Sequence, residues 1–295
     1  MSKPLLDIIR SRSQPLAPVP TGADSPTETD RLAGIRAVLW DVYGTLFISG
    51  SGDIGHAARF DGEAAIREAL TSAGCEVRQP EMRLHSRFIE LIKEEHERLG
   101  SGGVDYPEVE IREIWTRLVE ELQAVGAIHF SIAPDLDALA VAFECATNPV
   151  WPMPATLDCL TQLRQQGVRL GIISNSQFYT PLLFEALLRR PVEEIGFDPG
   201  LCVWSYRLRR GKPDPSLFVA ALDQLRKDGI SSNQTLFVGN DMLNDIKPAQ
   251  ALGMKTALFA GDRRSLRWRR DDPRVAKTTP DLTLTRLDQL PDILL

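Results

Sequence analysis

The stretch "AVLWDVYGTLF", residues 37 to 47, decides how this chain is read. Its apolar run, Ala37 to Trp40, ends in Asp41, and Gly44 marks a turn directly afterwards. An unbroken apolar run is what a parallel strand covered on both faces requires. In open α/β sheets, ligands bind just past the carboxyl ends of such strands. A carboxylate at that tip is therefore placed for chemistry, although a lone aspartate there more often serves a turn or caps a helix. Tyr43 stands two residues on, where a second carboxylate would make a more familiar pattern.

Downstream of "NPVWPMP" the pattern alternates. "ATLDCLTQLRQQG" reads as a helix ended by Gly167, and "VRLGIISNS" as a strand. "YTPLLFEALLRR" is a helix, "LCVWSYRL" a strand and "DPSLFVAALDQLRKDG" a helix. "TLFVGND" is a strand, "DIKPAQALG" a short helix, and "KTALFAG" and "DLTLT" are strands. Strands alternating with helices imply crossovers and a parallel sheet, hence an α/β fold. Residues 61 to 147 differ, with apolar residues at helical spacing throughout. Ile111, Ile114, Trp115, Leu118, Val119 and Leu122 make one stripe, as a bundled helix should. The expected organisation is a discontinuous α/β core, residues 35–48 and 150–295, with a helical insert over 49–149. Residues 1–34 are expected to be a flexible tail, rich in Pro, Ser, Thr and Gly between 12 and 30. Within it, "PLLDIIRSR" has the pattern of a short docking helix.

Composition excludes several classes. The chain has 295 residues, 43% hydrophobic and 25% charged, which suits an ordinary soluble globular protein with one large core or two smaller ones. A net charge of -6 argues against broad binding to nucleic acid or to anionic membranes. No apolar run approaches the roughly 20 residues needed to span a bilayer. Asp7 interrupts the N-terminal apolar patch, so no signal peptide is expected. The cysteines at 75, 145, 159 and 202 form no CxxC pair; reduced thiols in a cytoplasmic protein are the expectation.

Four places now become comparable. The first strand ends in "DVYGTL", the strand after the insert in "ISNS", and a later one in "VGNDMLND". Lys212, in "RRGKPDPSLF", lies between the last two. Together they bring a carboxylate, a hydroxyl, a lysine and an acidic cluster to one edge of a sheet. A carboxylate nucleophile, a cation and metal-holding acids suit phosphoryl transfer.

These four motifs, in this order, resemble those of the haloacid dehalogenase superfamily, most of whose members are Mg²⁺-dependent phosphatases. The resemblance covers roughly residues 35 to 290. It implies a Rossmann-like core, with the helical stretch in the place of a cap. It implies that Asp41 is the nucleophile, that Thr45 supports the turn after it, and that Ser174 and Asn175 serve the transferring group. Lys212 would neutralise charge between nucleophile and substrate. Asp241 and Asp245, with Asn240 as a possible neutral ligand, would hold Mg²⁺ beside the Asp41 carboxylate and the Tyr43 carbonyl; hard oxygens suit that ion.

Two positions depart from the family's phosphatases. Tyr43 replaces an aspartate that serves as general acid and base, a role worth about 10²–10⁴-fold. A tyrosine, with its ordinary pKa of about 10, is a poor base at neutral pH. This feature resembles the dehalogenase branch, where a departing halide needs no proton. In "GNDMLND", Asn240 follows the glycine where an aspartate is usual, so either the acid has slipped to Asp241 or Asn240 is the ligand and Asp241 lies aside. The dehalogenases also carry an early arginine in the cap, for which Arg59, Arg67 and Arg78 are loose candidates. Six residues after their lysine they have a tyrosine, where this chain has Phe218.

The remaining features have plain readings. The basic run "RRSLRWRRDDPR", residues 263 to 274, contains two aspartates and reads as a solvated face. His56, His85, His96 and His129 are scattered in the insert and its approach, and read as packing or surface residues. Trp151 and Trp204 read as core. The sequence thus points to a Mg²⁺-dependent hydrolase of a small phosphorylated metabolite. The alternatives are a metal-independent 2-haloacid dehalogenase and a binding or regulatory protein with weakened chemistry. Neither nucleic acid nor a membrane is expected as a partner.

Overall fold

The computed structural model describes residues 3–24, 31–50 and 61–294. Its strands are β1 (Ala37–Trp40), β2 (Phe47–Ser49), β3 (Glu76–Val77), β4 (Ile128–His129), β5 (Val150–Pro152), β6 (Arg169–Ser174), β7 (Phe197–Trp204), β8 (Thr235–Gly239), β9 (Lys255–Phe259) and β10 (Leu282–Leu284). Six of them form one parallel sheet in the order β10-β9-β8-β1-β6-β7. All four residues of β1 are inaccessible to solvent. Val38 and Trp40 join one apolar cluster, while Ala37 and Leu39 join another on the opposite face. Both faces are therefore covered, which is why the strand reads as an unbroken apolar run.

The chain passes from β1 to β6 and β7 on one side, then crosses to β8, β9 and β10 on the other. The winding reverses at β1, and a crevice opens past the strand ends at such a point. In register, Trp40 lies opposite Ile172 of β6 and Val238 of β8. Asp41, Ser174 and Asn240 thus follow within one or two residues of a common level.

β2 and β5 pair antiparallel, with Phe47 opposite Pro152 and Ser49 opposite Val150. Chain leaves the sheet's edge along one and returns along the other. Between them lie α2 (Gly62–Ser72), α3 (Leu84–Ser101), α4 (Ile111–Ala124) and α5 (Leu136–Thr147). Asp61, Glu110 and Asp135 cap α2, α4 and α5 through side-chain oxygens, satisfying amides that have no partner within the helix. The whole α4 stripe is buried. Trp115 stacks edgewise or tilted on Phe88 and Phe143, at 4.7 and 5.4 Å between centroids.

Two sequence expectations are corrected here and a third, a helix that holds, is refined. The described part of the N-terminal tail is held rather than free. α1 (Lys3–Arg12) buries Leu5, Leu6 and Ile9, and residues 17–21 lie along 260–264. "LCVWSYRL" is only in part a strand, since β7 stops at Trp204 and Ser205–Leu208 make a helical turn. "YTPLLFEALLRR" starts as a helical turn, Thr180–Leu183, and widens over Phe184–Leu188 before Arg189 (φ 61°) ends it. No described helix is long and apolar enough to cross a membrane.

Candidate active site

Asp41 is the first residue past β1, and its N–H donates to the Val238 carbonyl of β8 at 2.9 Å. This ladder bond fixes the root of the side chain. Its Oδ1 lies 2.8 Å from Lys212 Nζ, and the same ammonium lies 2.5 Å from Asp245 Oδ1. Asp245 Oδ2 accepts the backbone N–H groups of Asn240 and Asp241, each at 2.9 Å. One buried cation therefore bridges two buried carboxylates. Burial pushes the Asp245 carboxyl up; Lys212 opposes this, and the charges of Asp41 and Asp241 add to it. Burial works against the Lys212 charge, yet Asp245 and Asp41 hold its pKa above the ordinary lysine value.

Lys212 is positioned from its backbone. Its N–H donates to Asn175 Oδ1 at 2.6 Å, and Asn175 Nδ2 donates to its carbonyl at 3.2 Å. Asn175 thus supports the lysine, a contact that the sequence reading did not include. The ammonium sits 5.5 Å from the Phe237 ring centroid, a cation–π contact. Phe218 is wholly buried and packs on that ring at 5.0 Å, so it builds the floor under the lysine. Ser174 is buried at the end of β6, and among the described residues its hydroxyl makes only a long 3.4 Å contact to the Asn175 carbonyl. Thr45 Oγ1 is buried without a hydrogen-bond partner among the described residues.

The two sides of the acidic motif separate. Asp241 Oδ1 caps the N–H groups of Leu243 and Asn244, and both its oxygens take the Arg269 guanidinium at 2.7 and 2.5 Å. The Asp241 carboxylate is thus paired with Arg269, whereas Asp245 takes Lys212. Asn240 stays at the sheet edge, its Nδ2 donating to the Ser265 carbonyl at 2.6 Å. Backbone bonds join Arg267 to Asn240 and Met242, at 2.9 and 3.0 Å. At Gly44 (φ 81°), a Cβ would come within 2.4 Å of both Asn240 Nδ2 and Ser265 Cβ, so only glycine lets the turn after Asp41 approach this segment. Part of the basic run read as a solvated face is thus a strut for the acid loop. No sequence signal links Arg269 to a partner 28 residues earlier.

Tyr43 does not take an acid–base position. Its hydroxyl lies 3.0 Å from Thr180 Oγ1. Its ring borders a chamber lined by Ile9, Glu144, Cys145, Tyr179 and others, but by none of Asp41, Ser174 or Lys212. Burial pushes the phenol well above its ordinary value, with the Glu144 charge adding to this; it stays neutral. Of the arginines considered, Arg67 pairs with Glu63 at 2.7 Å and Arg78 with Glu76 at 2.9 Å. Arg59 and His56 lie outside the described residues. His85 packs against Phe143, and His129 sits on β4. Trp204 is buried, as expected of a core residue.

A profile of haloacid dehalogenase-like hydrolases matches residues 35–253. The chain belongs to that family. The hydrolase is 28% identical over 261 residues to the glyceraldehyde 3-phosphate phosphatase of Methanopyrus kandleri, covering 88% of this chain and 97% of that one. It is 29% identical over 157 residues to the phosphoglycolate phosphatase of Pseudomonas putida, covering 52% and 47% of the two chains. In fold, the hydrolase matches the 2-haloacid dehalogenase of Pseudomonas syringae pv. Tomato with a TM-score of 0.53 at 23% identity, over 88% of this chain and 97% of that one.

Among the described residues, no three His, Cys, Asp or Glu side chains gather as a metal centre. The hydrolase still carries oxygens that suit a hard cation. Two buried carboxylates share a single ammonium, and the Tyr43 carbonyl and Asn240 Oδ1 have no hydrogen-bond donor among the described residues. Mg²⁺ is commonly held by one or two carboxylates completed by water and substrate, so the donor set fits.

Sequence reasoning missed Glu108, in the loop between α3 and α4. Its carboxylate accepts from Ser205 Oγ at 2.9 Å and Gln177 Nε2 at 3.3 Å, and its N–H donates to the Arg209 carbonyl. It thus ties the helical insert to the turns after β6 and β7. Burial pushes this carboxyl up to about 7, against hydrogen bonds from Ser205 and Val109 and the Arg209 charge. The folded protein then binds this proton more tightly than the unfolded chain. The contribution is complete below about pH 4.5 and is lost as pH rises through about 7. It amounts to about 3 kcal/mol at most. Melting temperatures measured at pH 5.5 and 8.5 are expected to fall with pH, and Glu108→Gln is expected to flatten that slope. An unchanged slope in the variant would assign the dependence elsewhere.

Proposed function

We propose that this hydrolase is a Mg²⁺-dependent phosphatase of small phosphorylated metabolites that works through an aspartyl-phosphate on Asp41. The observation that carries the reading is the buried Lys212 bridge between Asp41 and Asp245 at the mouth of the sheet's crevice. The near full-length similarity to a phosphatase supports it. A carboxylate oxygen of Asp41 attacks phosphorus, and the bond to the leaving oxygen breaks. Water then attacks phosphorus of the acyl phosphate, releasing inorganic phosphate and restoring Asp41. Lys212 holds positive charge beside the oxygen anions throughout, and Ser174 offers its lightly engaged hydroxyl to the transferring group. Asp41, Asp245, the Tyr43 carbonyl and Asn240 are the residues that would hold Mg²⁺, which screens the anionic carboxylate from the anionic phosphate. The helical insert would act as a cap that excludes water and selects substrate.

A neutral Tyr43 engaged with Thr180 leaves the departing oxygen without a proton donor at that position. The enzyme should therefore favour good leaving groups. p-Nitrophenyl phosphate and acetyl phosphate are expected to be hydrolysed with Mg²⁺ and not with EDTA, while simple alkyl phosphates lag by about 10²-fold or more. Tyr43 also favours a second reading, a 2-haloacid dehalogenase, which would release chloride from 2-chloropropionate in EDTA. Phe218, and the engagement of Arg67 and Arg78 within the insert, weigh against it. Silence on all three substrates would leave the reading of a binding protein on this fold.

A further inference from the structure

The chain before residue 35 lies outside the family match, yet it closes the chamber behind Tyr43. Ile9 of α1 is 1% exposed. It lines that chamber with Tyr43 itself, Val141 and Glu144 of α5, and Tyr179 and Leu183. The space left is enough for about one water, so the walls are close to filled. The arm is anchored on both sides of the gap. Arg10 donates to the carbonyls of Glu185 and Ala186, in the widened helical segment Phe184–Leu188. Arg12 pairs with Glu68 of α2 at 2.8 Å. Further along, Thr21 Oγ1 donates to the Ala260 carbonyl at 2.7 Å and Arg264 to the Ala17 carbonyl at 2.5 Å. The segment so bound is the one joined to Asn240.

We propose that this N-terminal arm is a working part of the active site, in which Ile9 wedges the Tyr43 ring and is a positioning residue for the Asp41 turn. Tyr43 is two residues from the nucleophile, and its ring is the lever by which packing at the chamber reaches the turn. Interiors are close-packed and transmit displacement of this kind. A misplacement of about 1 Å at the reacting atoms can cost about 10²-fold. The catalytic consequence rests on the hydrolase reading; the positioning does not.

The test uses the full chain carrying Ile9→Ala or Ile9→Val, each alone and with Tyr43→Leu. Leu225→Ala serves as a control, being fully buried in the cluster on the sheet's other face. On p-nitrophenyl phosphate, Ile9→Ala is expected to lower kcat about 10-fold with KM within about twofold, and Ile9→Val to restore most of it. In the Tyr43→Leu background the Ile9→Ala effect should vanish, and Leu225→Ala should lower the melting temperature while sparing kcat. An undiminished effect without the Tyr43 ring, or no effect on kcat, would overturn the proposal. Hydrogen exchange decides independently of turnover. Ile9→Ala should speed exchange at residues 42–47 and leave β8 unchanged, and unaltered exchange at 42–47 would overturn the proposal. Absence of turnover in the parent protein, by contrast, would sink the hydrolase reading alone.

Discussion

Asp41→Asn is expected to hydrolyse nothing, keep its fold and melt above the parent protein. The asparagine cannot form an acyl phosphate, so turnover should fall at least about 10⁴-fold, as when a covalent nucleophile is removed. The stability gain follows from charge. In the parent, two buried carboxylates crowd one ammonium, with a third carboxylate, Asp241, adding its field. Neutralising Asp41 leaves Lys212 and Asp245 as a matched pair. A gain of about 1 kcal/mol would raise the melting temperature by about 2 °C for a domain of this size. Such gains are common where function imposes strain or like-charge contact. Melting in EDTA and turnover on p-nitrophenyl phosphate check both halves. Retained turnover in a pure sample would sink the assignment of Asp41, and a lower melting temperature would show that its charge is needed to hold Lys212.

Lys212→Met has the opposite profile, losing both activity and stability. Removing the ammonium leaves Asp41 and Asp245 buried without a cation, and breaking a buried pair in this way costs about 3–5 kcal/mol. Loss of one charged group from such a site should also slow turnover about 10²–10³-fold. The defect should depend on pH. Without Lys212, burial and Asp41 push the Asp245 carboxyl up, opposed only by the backbone N–H groups of Asn240 and Asp241 among the described residues. A carboxyl whose folded pKa is raised favours the fold at low pH and loses that advantage as pH rises through it. Urea denaturation in EDTA should therefore show a smaller deficit at pH 5 than at pH 8. A deficit equal at both would mean that Lys212 does not hold the carboxylates in check.

The central sheet was legible because strands covered on both faces must be continuously apolar, and "AVLW", "LGII" and "LFVG" are. The α4 stripe was legible for the same kind of reason, a period of 3.6 with one buried face. What escaped depended on partners far away in sequence. The segment "PLLDIIRSR" was legible as a short docking helix, but not the groove beside α5 that holds Leu5, Leu6 and Ile9. Between Asn240 and Asp241, residue type alone could not choose. Arg269 takes the Asp241 carboxylate, a pairing that residue type does not announce, and it sits in a run whose charges look like an ordinary solvated surface. Glu108 gave no signal because its burial is made by Ser205 and Gln177, from the other side of the crevice. Tyr43 was legible as a departure, but where its hydroxyl goes depends on Thr180, 137 residues later.

The pair of hydrogen bonds between Asn175 and the Lys212 backbone also has an entropic side. A free lysine side chain carries about 2 kcal/mol of rotamer freedom. Here the residue is fixed at its root by one amide side chain and at its tip by two carboxylates. That freedom is surrendered when the protein folds, once, and not at each encounter. An anion entering the crevice meets an ammonium already aimed, and none of its binding energy is diverted to ordering the lysine.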